Sequence, residues 1–159
     1  MFWRFSGKPK KEMIIREATL EDFPAIDAFD VFARDRKEEI KRGEIIVAVI
    51  EDKVAGYLTH NRSFYDRPFV QFVCVNKEFR QRGVARRLYE QAEKIYKEEN
   101  AELIFSSTED DNAIMLRFFE KYGWQKSGII HNIQPQAEIL FVKKLVQNDL
   151  TFEPVHYRV

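Results

Sequence analysis

The sequence predicts a mixed α/β fold of about seven strands and four helices, in the order β-α-α-β-β-β-α-β-α-β-β. Two patterns predict it most directly. Residues Ile45–Ile50 and 54–60 are apolar segments on either side of a tight turn, which indicates a hairpin. From Val84 onward, apolar residues recur on one helical face and charged residues on the other, which indicates an amphipathic helix.

The elements before the hairpin follow from helix start and stop signals. Residues 13–18 are expected to form a first strand, and Thr19 with Asp22 forms a capping box that begins a helix. A second, charge-dense helix is expected over residues 33–42, and Gly43 ends it. The sequence therefore places two helices between the first strand and the hairpin.

The elements after the hairpin alternate between strand and helix. A loop over residues 61–66 leads to a strand over 69–76, and Asn100 closes the amphipathic helix. Thr108 and Asp111 form a second capping box, which predicts a further helix. The remaining elements are a strand over 103–106 before that helix, the helix end at Gly123, and a hairpin of strands over 124–130 and 137–142 around Pro135.

Length and composition limit the class of protein. The chain has 159 residues, the size of one domain, and we expect a leader over residues 1–11, a single domain over 12–145 and a tail over 146–159. The 26 basic and 26 acidic residues balance, which argues against a general nucleic-acid or membrane-surface role. Cys74 is the only cysteine and no signal-peptide core is visible, so the expected compartment is a reducing cytoplasm.

The most informative motif is a basic turn between a predicted strand and a predicted helix. It reads Arg80-Gln81-Arg82-Gly83-Val84-Ala85 and follows the apolar run 72–75. The start of a helix leaves backbone N–H groups unpaired and carries a partial positive charge, so an anion binds there favourably. Gly83 can adopt a positive φ that brings the backbone close to a ligand. With Arg86 and Arg87 nearby, the turn predicts a phosphate site.

Two better-known phosphate loops are excluded by the glycine pattern. The glycines are too widely spaced for G-x-G-x-x-G, and no G-x-x-x-x-G-K-[S/T] sequence is present. A dinucleotide-binding fold and a P-loop NTPase are therefore not expected.

The pattern R-x-x-G-x-A in this setting resembles the pyrophosphate loop of the GNAT superfamily of acetyl-CoA-dependent N-acetyltransferases. A second motif supports the resemblance, because Asn112-Ala113 and the run 118–124, Phe-Phe-Glu-Lys-Tyr-Gly-Trp, are similar to the other signature of that family. The resemblance spans residues 13–145. It implies a mostly antiparallel central sheet, acetyl-CoA as co-substrate, and an amine of a small molecule or protein as acceptor. No group of residues suggests a metal site, because His60, His131 and His156 are scattered along the sequence.

The resemblance also implies roles for individual residues. The backbone N–H groups of Val73 and Val75 would stabilise the oxyanion of the reacting thioester, and Asn112 would contact the pantetheine or phosphate region of CoA. Asn112 is also explained as a residue at a helix start that hydrogen-bonds locally. The full set of expected cofactor-binding residues is Val73, Val75, Arg80, Gln81, Arg82, Gly83, Val84, Ala85, Arg86, Asn112 and Phe119.

One position departs from the family pattern. Where many relatives have a tyrosine thought to protonate the departing sulfur, this chain has Phe119, which cannot donate a proton. A thiol with a pKa of about 8.5 leaves as a thiolate at pH 7 at a cost of roughly 2 kcal/mol. Loss of a general acid typically costs about 10²–10⁴-fold in rate. Tyr122 lies one helical turn further on, but we interpret it as a packing residue.

A protonated amine needs a group that accepts its proton before it can attack. Relatives often use a glutamate on the strand that carries Gln71 here, and Gln71 could orient water but cannot act as the base. The candidates in this sequence are His60, Asp66, Glu109 and His131. Three of them also have a structural explanation: His60 as a polar residue at a strand end, Asp66 as a turn former and Glu109 as a residue at a helix start.

Other functions stay open at this point. Phe119 and the missing glutamate favour a non-catalytic acyl-CoA-binding or sensory module. An RNA-binding module built on the arginines of 80–87 is remote, because the chain is not basic overall. The acceptor is not readable, although the resemblance places its pocket around residues 29–36 and 61–67. The tail carries apolar residues compatible with packing on the domain or with a homodimer: Leu150, Phe152, Val155 and Tyr157.

Overall fold

A computed structural model describes residues 11–147, and the element order predicted from the sequence is confirmed there. Most of the predicted leader and of the apolar tail lies outside the described residues. The strands are β1 (Met13–Glu17), β2 (Ile45–Ile50), β3 (Lys53–Phe64), β4 (Arg67–Val75), β5 (Leu103–Glu109), β6 (Gln125–Ile130) and β7 (Glu138–Lys144). The α-helices of this part of the chain are α1 (Phe23–Phe29), α2 (Arg36–Lys41), α3 (Val84–Glu98) and α4 (Ala113–Lys121).

The seven strands form a sheet in the order β1-β2-β3-β4-β5-β7-β6. The pairs β1–β2, β2–β3, β5–β7 and β6–β7 are antiparallel. The chain divides into two compact units, of which the first holds the described residues up to Asn61 together with Val70–Ala92. The second holds Arg62–Phe69 and the described residues from Glu93 onward. No helix within residues 11–147 is both long and apolar enough to cross a membrane.

The predicted loop over residues 61–66 is wrong, because β3 continues to Phe64 and β4 begins at Arg67. Tyr65 and Asp66 alone make the turn, with φ values of 51° and 58°. Two successive residues with positive φ match the twist of an antiparallel pair, so the strands continue to the turn. The rings of Phe64 and Phe69 lie 5.1 Å apart beside the turn and extend the apolar contact between the two strands.

The two predicted capping boxes have different outcomes. The first is confirmed, because the N–H of Thr19 donates to the Asp22 carboxylate at 2.7 Å and begins the 3-10 turn before α1. The second is wrong, because β5 extends to Glu109 and Thr108 is a buried strand residue. Pairing of β5 with β7 therefore outweighs the local helix-start pattern at Thr108.

The predicted helix over residues 33–42 is shorter in the structure. α2 covers Arg36–Lys41, and the Asp35 side chain caps it by accepting a hydrogen bond from the N–H of Glu38 at 3.1 Å. The residues just before Asp35 are not helical. Among them, Asp30 accepts a hydrogen bond from the buried Arg36 of the first unit.

A buried charged network holds the segment between α1 and α2 on the strands of the first unit. The Arg36 side chain is 1% exposed, and its Nε donates to Asp30 Oδ2 at 2.8 Å while its Nη1 donates to Glu39 Oε2 at 2.6 Å. Its Nη2 donates to the Tyr57 hydroxyl on β3 at 3.0 Å, and that hydroxyl donates in turn to Asp30. The guanidinium also lies over the rings of Tyr57 and Phe72, at 4.9 and 5.1 Å from their centroids.

The network shifts the pKa of its acids. Burial by itself raises the pKa of Asp30, but hydrogen bonds from Arg36, Tyr57 and the N–H of Phe32 outweigh burial and hold that pKa below its ordinary value. Burial and the hydrogen bond to Asp30 raise the pKa of the Tyr57 hydroxyl, which therefore stays a donor at neutral pH. The core around these groups includes Ala18, Ile26, Ile40, Ile45, Val47 and Cys74.

The lowered pKa of Asp30 predicts acid sensitivity of the first unit. The stabilisation is complete above the unfolded pKa of an aspartate, about 3.9, and is lost as pH falls through the lower folded value. We expect Asp30→Asn to lower the free energy of unfolding at pH 7 by about 3 kcal/mol, because it leaves Arg36 buried with one partner fewer. Urea unfolding at pH 7 and pH 3 should also show a smaller pH dependence in this variant.

The matched control is Asp27→Asn, which replaces an exposed aspartate on α1, the helix that ends just before Asp30. We expect this substitution to change stability by less than about 0.5 kcal/mol. Equal losses in the two variants would mean that the network does not stabilise the fold.

Candidate active site

The basic turn of the first unit has the backbone geometry that an anion site needs. After the 3-10 turn Lys77–Phe79, Gln81 and Gly83 have φ values of 61° and 76°. A non-glycine residue at positive φ is uncommon, and here Gln81 is one, two residues before Gly83 and just before the first turn of α3. Left-handed residues in such turns let successive N–H groups converge on one point, and a helix start adds its dipole. The predicted phosphate loop thus has a fitting backbone.

The arginines around the loop divide into two groups. Arg86 pairs with Glu90 at 2.8 Å, and Arg87 donates to the carbonyl of Met13 at 3.4 Å. Arg80 and Arg82 are exposed on the loop itself, and the Arg82 guanidinium lies 5.4 Å from the centre of the Phe79 ring. The loop cations therefore face solvent, while Arg86 and Arg87 also help to hold α3 in place.

A cleft of about 920 Å³ lies beside the start of α3. It brings together loop residues and the beginning of β1, and its lining carries both signs of charge. The lining residues are Lys11, Glu12, Met13, Ile50, Arg82, Gly83, Arg86, Arg87 and Glu90.

Gly56 fixes how closely α3 approaches the strands, and the sequence analysis did not identify it. A Cβ at Gly56 would lie 2.9 Å from the carbonyl oxygen of Cys74 and 2.9 Å from Cγ1 of Val84, the first residue of α3. Both contacts are shorter than a real Cβ tolerates, so only glycine fits. A glycine inside a strand pattern signals close backbone approach, and this signal could have identified Gly56.

The strand before the loop presents different residues to its two faces. Gln71, Val73 and Val75 alternate with Phe72 and Cys74, so the two sets point to opposite sides of the sheet. Phe72 and Cys74 contact the core and the α1–α2 segment. The Cys74 thiol lies 3.7 Å from the carbonyl oxygen of Phe29, and burial raises its pKa, so it is a poor nucleophile.

The candidate bases are divided between the two units. In the first unit, Gln71 is exposed on β4 and His60 is buried within β3, so His60 does not flank a loop as expected. In the second unit, Asp66 lies in the hairpin turn and His131 is exposed in the β6–β7 connection. Glu109 is the last residue of β5 rather than a helix start.

Glu138 is a carboxylate that the sequence analysis missed. It is the first residue of β7 and lies directly opposite Glu109 in the β5–β7 register. Burial raises its pKa, a hydrogen bond with Ser107 opposes this, and the charge of Glu109 raises it further. No local motif marks Glu138, because its neighbours are set by strand register rather than by spacing.

The second family motif also lies in the second unit. Asn112 caps α4, since its Oδ1 accepts a hydrogen bond from the N–H of Met115 at 3.2 Å. This is the local hydrogen bonding that the sequence allowed as an alternative role. Phe119 is fully buried and stacks on Phe141 with ring centres 4.4 Å apart. Its position in the core explains an apolar ring there.

The burial of Phe119 makes the hydroxyl of a tyrosine costly at this position. We expect Phe119→Tyr to lower the free energy of unfolding by roughly 1–3 kcal/mol, because the added hydroxyl loses water in a packed aromatic cluster. Urea unfolding measures this, with Phe118→Tyr on the half-buried neighbouring residue as the matched control. A fully stable and more active Phe119→Tyr would instead place position 119 at the reacting groups.

The comparisons with known proteins agree with the predicted family and fold. The sequence model of the acetyltransferase (GNAT) family matches residues 13–124. No curated protein sequence matches the chain. Among solved structures, a GNAT family acetyltransferase from Bacillus cereus ATCC 10987 shares 25% identity at a TM-score of 0.69, over 86% of this chain and 99% of that one.

Two more distant structures share the fold. One is a Bacillus anthracis str. Ames protein provisionally assigned as a streptothricin acetyltransferase and bound to acetyl coenzyme A, with 18% identity, a TM-score of 0.71 and coverage of 84% of this chain and 98% of that one. The other is the ribosomal-protein-S18-alanine N-acetyltransferase from Escherichia coli, with 16% identity, a TM-score of 0.72 and coverage of 92% and 100%. The family match spans more than half of the residues of the present chain. The chain therefore belongs to the acetyltransferase (GNAT) family.

Proposed function

We propose that the protein transfers the acetyl group of acetyl-CoA to a primary amine by direct attack in a ternary complex. The observation that carries this proposal is the loop before α3, where Gln81 and Gly83 adopt left-handed backbone conformations at a helix start. This geometry suits a pyrophosphate, and it occurs at the sequence that resembles the pyrophosphate loop of the family.

Acetyl-CoA fits the residues of the loop. Its pyrophosphate is anionic, and Arg80 and Arg82 are exposed cations on the loop, while the N–H groups at the start of α3 supply directed donors. The Bacillus anthracis neighbour was solved with acetyl coenzyme A, which supports the same co-substrate here. We also propose, from the resemblance, that Asn112 contributes to CoA binding. We propose that the enzyme works without a metal because its three histidines and one cysteine are scattered along the sequence.

The reaction forms a C–N bond and breaks a C–S bond. The amine nitrogen attacks the thioester carbonyl carbon, and negative charge develops on its oxygen. In our proposal the backbone N–H groups of Val73 and Val75 stabilise that oxygen, since preorganised donors are often the largest single contribution to catalysis. Phe119 has no hydroxyl to offer, so the departing thiolate takes its proton from water.

The alternative function is a non-catalytic acyl-CoA-binding or sensory module. Phe119 favours this second function. Its side chain is fully buried and has no hydroxyl, so position 119 cannot protonate the departing sulfur as the tyrosine of many relatives is thought to do. Release of CoA thiol in the presence of amines separates the two functions. We propose a cytoplasmic location in either case, on the ground that the only cysteine is a buried free thiol.

The test of the proposed function is calorimetric titration with acetyl-CoA and with CoA, followed by thiol-release assays with primary amines. We expect saturable micromolar binding of one equivalent. Gly83→Val should weaken binding at least tenfold, since a β-branched residue at a φ of 76° is strained by roughly 1–3 kcal/mol and shifts the loop.

The matched control is Gly83→Asn, because asparagine tolerates the left-handed conformation. We expect it to bind CoA within about threefold of the original protein, and space is available because no atom lies within 4 Å of a Cβ at this position. Unchanged affinity in Gly83→Val would mean that the loop does not bind the cofactor.

Gly56→Ala tests whether the approach of α3 sets the geometry of the loop. We expect it to destabilise the fold by about 1–3 kcal/mol and to weaken CoA binding, because the new Cβ displaces Val84. Adding Val84→Ala should restore part of the affinity, and Gly128→Ala is the control, since its nearest contact would be 3.8 Å. Full CoA affinity in Gly56→Ala would contradict this role.

A further inference from the structure

The sheet of the second unit has one covered face and one that the described residues leave partly open. Phe105 of β5 lies opposite Val142 of β7, and Leu140 lies two residues earlier on the same face of β7. All three side chains are only half-buried. The other face is covered, since Phe141 there stacks on the buried Phe119 of α4. The face that carries Phe105 is therefore an apolar surface with incomplete cover.

Aromatic rings extend this apolar surface. The ring centre of Phe64 lies 5.5 Å from that of Phe105 and 5.1 Å from that of Phe69, and all three rings are half-buried. Tyr65, whose ring contacts Phe64, is 86% exposed. Contiguous apolar surface marks an interaction site, whereas single exposed apolar residues are ordinary. The open face thus has the chemistry of a surface that another peptide segment covers.

A cavity of about 480 Å³ lies on this face, where β7 ends. Leu103, Phe105 and Val142 contribute apolar side chains to its lining, and the exposed Lys144 lines it as well. Cavities of about 300–1,000 Å³ hold drug-sized molecules, so this one has room for the side chains of a short peptide segment. Among residues 11–147, no ion pair joins Lys144 to a carboxylate. The cavity therefore suits an apolar segment that also carries negative charge.

The chain leaves the sheet beside this cavity. β7 ends at Lys144, the N–H of Leu145 donates to the carbonyl oxygen of Glu102 at 2.8 Å, and the chain bends over residues 145–147. Residues 148–159 follow the bend and lie outside the described residues. A chain spans at most about 3.5 Å per residue, so six residues past the end of β7 it can reach any point within about 20 Å. The segment is thus tethered within reach of the whole cavity.

The sequence of residues 148–159 matches the cavity. Leu150 and Phe152 alternate with polar residues, so an extended backbone turns both side chains to the same side. Asp149 and Glu153 flank this apolar pair, and their charge is opposite to that of the lysine in the lining. A tethered segment has an effective concentration in the millimolar range, which favours it over a free partner of equal affinity.

We propose that residues 148–159 of this chain dock on the partly open face of the second unit. Leu150 and Phe152 fill the cavity and contact Val142, which removes apolar surface of the segment and of the sheet from water. The flanking carboxylates lie near Lys144, where an exposed ion pair adds little energy but favours one direction of the segment. The inference does not depend on the proposed acetyl transfer, because every contact it needs belongs to the second unit or to the segment itself.

The direct test is nuclear magnetic resonance of the full chain with isotope-labelled methyl groups. We expect nuclear Overhauser contacts between the Val142 methyl groups and the Phe152 ring, and we expect them to persist in Thr151→Ala. A mixture of labelled and unlabelled chains shows where the contacts arise, and contacts within one chain support the proposal. Contacts solely between chains would assign this face to a second copy and overturn it. Absence of any contact between Val142 and residues 148–159 would overturn it as well.

Thermal unfolding provides the energetic readout. We expect Phe152→Ala to lower the melting temperature by about 4 °C or more, because a ring that covers the sheet is lost. Val142→Ala should also lower it, and the double variant should lose clearly less than the sum of the two, since side chains in contact are not independent.

The matched control is Thr151→Ala, on the opposite side of the alternating pattern. We expect it to change the melting temperature by less than about 2 °C and to be additive with Val142→Ala. Strict additivity of Phe152→Ala with Val142→Ala would mean that the segment does not occupy the cavity, and the proposal would be wrong.

Discussion

The close packing of α3 on β3 and β4 is the constraint on which the candidate cofactor site depends. Gly56 has no side chain, and for this reason β3 can lie close both to Val84 and to the carbonyl of Cys74. The first turn of α3 is thereby fixed to the strands, and the loop that precedes it must turn sharply through Gln81 and Gly83 to reach it. Backbone donors held in this way need no reorganisation when an anion binds, which is the property that makes fixed dipoles effective. The arginines add charge to a geometry that the backbone already sets.

The same strand that leads into the loop also holds the other side of the first unit. Phe72 and Cys74 contact the segment between α1 and α2, where the Arg36 network is buried, while Val73 and Val75 belong to the opposite face. A buried ionic network is weak evidence for net stability, because desolvation of its charges costs several kcal/mol. Its geometric effect is more direct: four hydrogen bonds fix Arg36, Asp30, Glu39 and Tyr57 in one arrangement. The packing on one face of β4 therefore restricts the movement of the backbone that the other face presents.

The sequence predicted the parts of the fold that depend on local patterns. The order of the elements, the basic loop at 80–85 and the capping box at Thr19 follow from periodicity and spacing within a few residues. The parts it did not predict depend on distant partners. The strand β3 runs to Phe64 because its pairing continues to the turn, although Tyr65 and Asp66 do not form a standard glycine turn. Thr108 matches a helix start locally but pairs with Ile139, and Glu138 meets Glu109 only through that same register.

The two proton transfers of acetyl transfer differ in how much they require of the protein. Release of a thiolate at pH 7 from a thiol with a pKa of about 8.5 costs roughly 2 kcal/mol, a barrier that water can meet. Removal of a proton from an alkylammonium with a pKa of about 10.4 costs roughly 5 kcal/mol at the same pH, before attack begins. Of the two proton transfers, removal of the amine proton therefore has the larger cost, and release of the thiolate has the smaller one. At position 119 the chain has a phenylalanine, which lacks a hydroxyl and stacks on Phe141. Loss of the acid at position 119 is therefore compatible with catalysis, because release of the thiolate is the less costly of the two proton transfers.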